Sequence, residues 1–329
     1  MRSQKKLNPL AAWILLFESG WKSFELRFKN ILKNLAYHQD LVDKEATAFN
    51  LVEATSYRRK VEEEIAKAEQ ERESSHLQAV LAWLCVEDIL QENNLWRLGE
   101  KRLDGTCDWI FNIPQYQAWL KNVDRSPLLW LTGSRGSGKS VFCAHITQKV
   151  QKIEQRATLF YYCLHKGDIS DKPSIFLQTL VMQITRIYPE FAALIWDTYV
   201  QNAQLASNDN LQKLLPDLIS GAPQVRIILD GIDEYDVKDC KLILDMLFKL
   251  QKKSPVAILI SRRDEGLISA KMRKKPRILL NVKQHTVQKG MSIFVASRLD
   301  QAIEDYDLNL SDEMKAAGRD ELLQKSGGR

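Results

Sequence analysis

Through the first hundred positions, apolar residues return every three or four places. Phe24, Phe28, Ile31, Leu32 and Leu35 form one stripe, and Leu41, Val42, Ala46, Phe49 and Val52 continue it after a break near His38. That period lays side chains along one face of an α-helix. No Gly or Pro interrupts the chain between Trp21 and Leu98, so the helices lack punctuation. Residues 58–73 are charged instead, with Glu62, Glu63, Glu64, Glu69, Glu71 and Glu73 interleaved with Lys67 and Arg72. They predict a solvent-exposed helix, with no heptad repeat sustained long enough to define a coiled coil. A third helix is expected over 77–91, carrying Val80, Leu81, Leu84, Ile89 and Leu90. Upstream, 10–17 is a short apolar run behind Arg2, Lys5 and Lys6. No small-residue cleavage site follows it, and it is well short of the roughly 20 apolar residues of a membrane span. It therefore reads as a helix segment of an internal domain.

From about Asp104 the pattern changes. Apolar, β-rich runs at 128–131, 158–163, 225–229, 256–260 and 278–280 alternate with helical segments. Short continuous apolar strands separated by helices imply a parallel sheet with helices on both faces. That is an α/β, doubly wound architecture. A last helix is expected over 311–325, with Ser311 as N-cap and Asp312 and Glu313 in its first turn. The expected organisation is an all-α N-terminal domain over 1–100 followed by an α/β domain over 101–329.

Composition narrows the function more than the fold. Hydrophobic residues make up 45% and charged residues 27%, which is enough to fill a sizeable core and excludes a wholly disordered chain. The net charge of +5, from 47 Lys+Arg against 42 Asp+Glu, is too mild to suggest a nucleic-acid binder. The densest basic run is Lys271, Arg273, Lys274, Lys275 and Arg277, and it reads as a solvated loop or helix end. Cys85, Cys107, Cys143, Cys163 and Cys240 are scattered, odd in number and without a CxxC pair, which argues against a disulfide framework or a zinc site. Reduced thiols in a cytoplasmic protein are the expectation.

The clearest chemistry lies in Gly133-Ser134-Arg135-Gly136-Ser137-Gly138-Lys139-Ser140, which fills every fixed position of GxxxxGK[ST] between an expected strand and an expected helix. Glycines let the backbone curl until successive N–H groups face phosphate oxygens, and the helix N-terminus adds its positive end. Lys139 is placed to bridge the β- and γ-phosphates and Ser140 to ligate Mg²⁺, with Val141 completing the binding stretch. A second apolar strand ends in Asp230-Gly231-Ile232-Asp233-Glu234. Asp230 is the candidate Mg²⁺ ligand, and Glu234, or alternatively Asp233, the candidate to orient or deprotonate water. The competing reading makes Asp233 and Glu234 caps of the next helix. A third strand ends in Ser261-Arg262-Arg263, where Arg262 could reach a γ-phosphate or simply belong to a surface arginine pair.

Together these segments resemble the NACHT branch of the STAND-type P-loop NTPases. Gly133 to Ser140 matches Walker A, Leu229 to Glu234 an extended Walker B with the small Gly231, and Ser261-Arg262 the sensor position. Asp104-Gly105-Thr106-Cys107-Asp108-Trp109-Ile110, followed by Tyr116-Gln117-Ala118-Trp119-Leu120, is similar to the opening segment of fungal NACHT proteins, the nephrocystin-type N-terminal nucleotide-binding domain. The resemblance spans about 103–325, and the helices over 24–98 are similar to those that often precede this domain. It implies an ATP–Mg²⁺ signalling switch, closed with ADP, assembling with ATP and reset by slow hydrolysis. The family normally continues into a winged helix and repeats, whereas this chain stops at Gly327-Gly328-Arg329, so a truncated product or partial gene model is expected. His285 is no substitute for the missing winged-helix histidine.

A switch with slow turnover is thus the leading expectation. The alternative is a nucleotide-binding interaction module without turnover, whose helical N-terminus makes the protein contacts. A kinase or nucleic-acid remodeller lacks an identifiable lid, substrate pocket or basic groove. ATP is expected because Asn281-Val282-Lys283-Gln284 does not fit the guanine-reading NKxD pattern, with GTP as the alternative. Protein partners or self-association are expected, and neither nucleic acid nor a membrane span.

Overall fold

The computed structural model describes residues 27–41, 51–86, 89–121, 125, 127–153, 157–163, 172–264, 272, 274–280, 285–308 and 310–326. The apolar run 10–17, the stripe positions Phe24, Val42, Ala46 and Phe49, and Lys271 and Arg273 lie outside them. Helix α1 (27–41) runs through His38 where a break was expected, since no Gly or Pro is there to stop it. Helix α2 (Leu51–Leu84) is one 34-residue helix that absorbs both the charged stretch and the start of the expected third helix. It ends at Cys85, which takes φ 52° and donates its N–H to Leu81 O at 3.3 Å. A left-handed residue stops a helix, but it is usually Gly, so this break left no mark in the sequence. Helix α3 (Ile89–Glu100) follows as a separate element.

The chain forms two compact units, one from Met1–Val86 and Val181–Gly221, the other from Glu87–Leu180 and Ala222–Arg329. In the first, α2 packs on the helical segment after α6 (Lys172–Ile187), namely α7 (Phe191–Ile195) and the π-helical turn Trp196–Val200. His76 stacks on Trp196 and Trp83 on Tyr199, with centroids 5.2 and 5.8 Å apart. Trp83 Nε1 donates to Gln204 O at 2.6 Å, and these half-buried rings flank the buried Val80 and Leu84 of α2. Helix α8 (Asn208–Gly221) buries Leu211, Leu214, Leu215, Leu218 and Ile219, an i, i+3, i+4, i+7, i+8 stripe.

The second unit is built on five parallel strands: β1 (Leu128–Gly133), β2 (Thr158–Tyr162), β3 (Val225–Asp230), β4 (Val256–Arg262) and β5 (Arg277–Leu280). Their order across the sheet is β2-β3-β4-β1-β5. Every residue of β1 to β4 is buried, as expected of strands covered on both faces. One face, with Leu129, Leu131, Phe160, Ile228 and Leu259, packs on α5 (Lys139–Gln151), α3 and α4 (Pro114–Lys121). Strand residues of the other parity face the opposite way, where Tyr161 meets Phe176 edge-on at 5.3 Å and α9 (Val237–Lys253) packs on β4. The edge strand β5 alternates exposed and buried residues. The fold is therefore the α/β P-loop type with an all-parallel sheet, preceded by helices. After β5 come α10 (His285–Asp305) and α11 (Asp312–Ser326), which pack on each other. Among the described residues, no helix is long and apolar enough to cross a membrane.

Arg226 shows how the sheet tolerates a buried cation. It sits on β3 with 0% exposure, and its guanidinium donates to Gln224 O and Leu120 O and lies 5.9 Å from the Trp119 ring centroid. Carbonyls near the C-terminus of α4 carry the negative end of that helix, which suits a cation.

Candidate nucleotide site

Because all strands run parallel, their C-terminal ends share one edge. The strand order puts β4 between β1 and β3, and the register pairs Thr132 with Arg262 and Asp230 with Ser261. The three motifs, separated by up to 130 positions in the chain, therefore converge where β1 turns into α5.

The turn is shaped for a guest rather than for self-packing. Gly136 and Gly138 have φ +79° and +81°, a left-handed backbone that other residues rarely adopt, and a Cβ on Gly136 would meet nothing within 4 Å. Gly133 is glycine for a different reason: a Cβ there would lie 2.6 Å from Ser137 Oγ and 2.8 Å from Leu280 O. Gly138 is the N-cap of α5, and the first helical hydrogen bond is Phe142 N–H to Gly138 O at 3.0 Å. The N–H groups of Lys139, Ser140 and Val141 are thus the leading donors of a helix end, where an anion is favoured. Lys139 Nζ donates to Gly133 O at 3.0 Å and Ser134 O at 2.7 Å, holding the loop closed. Burial lowers its pKa, while Asp233 and Asp230 act to raise it.

Asp230, 5% exposed, stands at the end of β3. Burial raises its carboxyl pKa, and the neighbouring Ser140, Ser261, Cys143 and Lys139 pull it back. Among the described residues, Asp230 Oδ1, Ser137 Oγ and Thr132 Oγ1 are buried without a hydrogen-bond partner. Buried polar atoms normally have partners, and three orphans on and around one loop fit a polar guest. Hard oxygen donors from Ser140 and Asp230 suit Mg²⁺, and the helix end with Lys139 suits phosphates.

The two other acids are not equivalent. Gly231, φ +73°, turns the chain into a single 3₁₀ turn, Ile232–Glu234. Asp233, with its side chain 13% exposed, accepts from Arg263 Nε through Oδ2 and from Arg263 N–H through Oδ1 at 3.4 Å. Glu234 is 45% exposed and has a looser 4.0 Å contact with the same guanidinium. Neither caps the next helix, whose N-cap is Asp236 accepting from Asp239 N–H at 2.8 Å. Arg262 is buried at the β4 end rather than on the surface. Burial works against its charge and Asp233 supports it.

Sequence reasoning did not single out several residues that the fold brings in. Cys143, one helical turn after Lys139, is buried beside Asp230. Its position on the inward face of α5 was the available signal. Arg263 was visible only as half of a pair. Gln91 of α3 holds β2, donating to Tyr162 O at 3.4 Å and accepting from Tyr162 N–H at 2.7 Å. The segment after residue 104 packs on α5, where Asp108 meets His145 at 2.8 Å and Trp109 meets Phe142 at 5.3 Å.

A parallel sheet with this loop at the edge of its central strands defines a P-loop NTPase fold. Residues 105–263 match the family described as Nephrocystin 3, N-terminal. The chain is 21% identical over 210 residues to the vegetative incompatibility protein HET-E-1 of Podospora anserina, covering 60% of this chain and 15% of that protein. It thus spans a small part of that relative's length. The PCH-2 structure from C. elegans aligns with 73% of this chain and 51% of its own at 14% identity and a TM-score of 0.30. The family match and the fungal relative support a NACHT-type nucleotide-binding protein, the branch that the motifs resemble.

Proposed function

We propose that the protein is a STAND-type switch that binds ATP with Mg²⁺ and hydrolyses it slowly. The observation that carries this reading is the convergence of the α5 N-terminus, Lys139 and the buried, unpartnered Asp230 Oδ1 at one sheet edge. In this reading Gly133 to Val141 cradle the phosphates and Lys139 moves from the loop carbonyls to the β- and γ-phosphates. Ser140 and Asp230 hold the metal, which when bound would offset the negative charge on the phosphates. Glu234, more exposed than Asp233, orients or deprotonates the water, and Arg262 reads the γ-phosphate. The γ-phosphate contacts then order the edge of the sheet in one nucleotide state and release it in the other. The helical region over 1–100 is the proposed arm for protein partners or self-association, and 101–329 the nucleotide part. The five free thiols fit a reducing cytoplasm.

Thermal shift and phosphate release test this together. Mg²⁺–ATP should raise the melting temperature in proportion to RT ln(1 + [L]/Kd), and radiolabelled phosphate should appear slowly. Both effects should vanish in Lys139→Ala. Wild-type protein with no nucleotide-dependent shift sinks the reading, binding without release selects the interaction-module alternative, and comparing ADP with GDP assigns the base.

A further inference from the structure

We infer that Arg263 is a positioning residue that takes Asp233 out of the chemistry and aims Glu234 into the site, a conclusion that rests on the hydrolytic reading above. The acids Asp233 and Glu234 are adjacent in sequence and both are candidate bases, Glu234 the first choice and Asp233 the alternative. Their surroundings separate them. One residue grips both oxygens of the Asp233 carboxylate, Oδ1 through its backbone N–H and Oδ2 through Nε. A carboxylate engaged on both oxygens by charge-assisted donors has its acceptor positions occupied and is poorly placed to hold a water. The same guanidinium is only 4.0 Å from Glu234, whose side chain is 45% exposed against 13% for Asp233.

The grip also determines where Glu234 can be. Regular β3–β4 pairing ends at Asp230 and Ser261. Beyond it, Gly231 N–H donates to Ser261 O at 3.1 Å and Glu234 N–H to Gly231 O at 2.9 Å. Asp233–Arg263 adds a second tie from the middle of the 3₁₀ turn. The turn is thus tied to the end of β4 before Ile232 and to the following Arg263 at Asp233, its middle residue, and Glu234 is the next residue along it. Ile232 is buried and its carbonyl accepts from Cys240 Sγ at 2.7 Å, so losing the Asp233–Arg263 tie would loosen the Asp233–Glu234 part of the turn rather than all of it. Glu234 would then sample orientations away from the metal-side acid, Asp230. Asp233 has a second consequence, because its charge is the largest support for the buried Arg262 cation. One carboxylate therefore steadies both the base and the γ-phosphate reader without touching either reactant.

The full chain tests this with Arg263→Ala, Arg263→Lys, Asp233→Asn and the Arg263→Ala/Asp233→Asn double variant, with Glu234→Gln as the reference for lost turnover. Arg263→Ala should lower kcat about tenfold, in the range that small misplacements of a reacting group produce, while KM and the Kd for Mg²⁺–ATP stay within about twofold. Arg263→Lys, which keeps the backbone bond and a cation, should recover part of kcat. Asp233→Asn should resemble Arg263→Ala, and the double variant should be no worse than either single change. A urea-unfolding cycle on wild type, Arg263→Ala, Asp233→Asn and the double variant reads the tie without turnover, and coupling between the two sites is expected. Unchanged kcat in Arg263→Ala overturns the inference, as does strict additivity in the unfolding cycle. A parallel loss of nucleotide affinity also overturns it, because Arg263 would then be a ligand contact. If Arg263→Ala does not fold, Asp233→Asn alone decides the kinetic outcome. Wild-type protein that binds nucleotide but releases no phosphate removes the hydrolytic reading and this inference with it, whereas normal wild-type turnover with unaffected variants removes the inference alone.

Discussion

At the scale of single residues, titration behaviour separates binding groups from packing groups. Burial raises the Asp230 pKa, so the folded state holds that proton more tightly than the unfolded chain. The ionised carboxylate therefore weakens the nucleotide-free protein at neutral pH, and the penalty is relieved as pH falls from neutrality through the raised folded pKa. Asp230→Asn should leave the nucleotide-free melting temperature near pH 7 equal or higher, while shrinking the rise produced by Mg²⁺–ATP. An undiminished rise would take Asp230 out of the site. His145 behaves oppositely. Burial lowers its pKa below 6.5 despite the Asp108 contact, so the native state prefers the neutral ring. Its contribution to stability is full above the ordinary histidine range and declines as pH falls through that range to the lowered pKa. A melt series from pH 8 to about 5 should show that slope, and His145→Gln should flatten it.

At the scale of elements, the β1–α5 turn depends on close approach as much as on backbone freedom. A methyl group at Gly133 would press on Leu280 O, a backbone atom that cannot step aside without moving β5. Gly133→Ala should destabilise the protein by about 1–3 kcal/mol in urea unfolding and abolish the nucleotide-dependent thermal shift. A variant as stable as wild type would mean that the turn repacks easily. The α2 stop is the contrasting case. Cys85 holds φ 52° without a glycine's freedom, and Cys85→Gly should raise stability by less than about 1 kcal/mol. A loss of stability there would show that the thiol, exposed as it is, packs usefully.

At the scale of the whole molecule, chain order and spatial grouping differ. The segment 181–221 groups with the N-terminal helices, and α3 groups with the sheet. Leu95 belongs to the core beneath the sheet, and Gln91 pairs with the backbone of Tyr162 at the edge strand β2. A chain beginning at residue 87 should therefore melt at a higher temperature than one beginning at 101, since only the first keeps α3. Equal melting temperatures would make α3 dispensable to the sheet unit. Both lack α2, so the comparison isolates one helix.

The parallel sheet, its five strands and the phosphate loop were legible in the sequence because each is a local signal. Continuous apolar runs specify strands buried on both faces, and a loop that must curl around phosphate can be built only from glycines at particular spacings. Features set by distant partners were not legible. The stop at Cys85 carries no turn residue, and the insertion of β4 between β1 and β3 leaves no trace in any one strand. Nor could sequence give the physical difference between Glu234 and Asp233, because it lies in Arg263, 29 and 30 positions further along and brought alongside by the sheet. Local backbone chemistry decided where the glycine-rich loop lies and how it curls. Only the packing of parallel strands, which gathers three chain-distant ends at one edge, decided which neighbours the reacting groups would have.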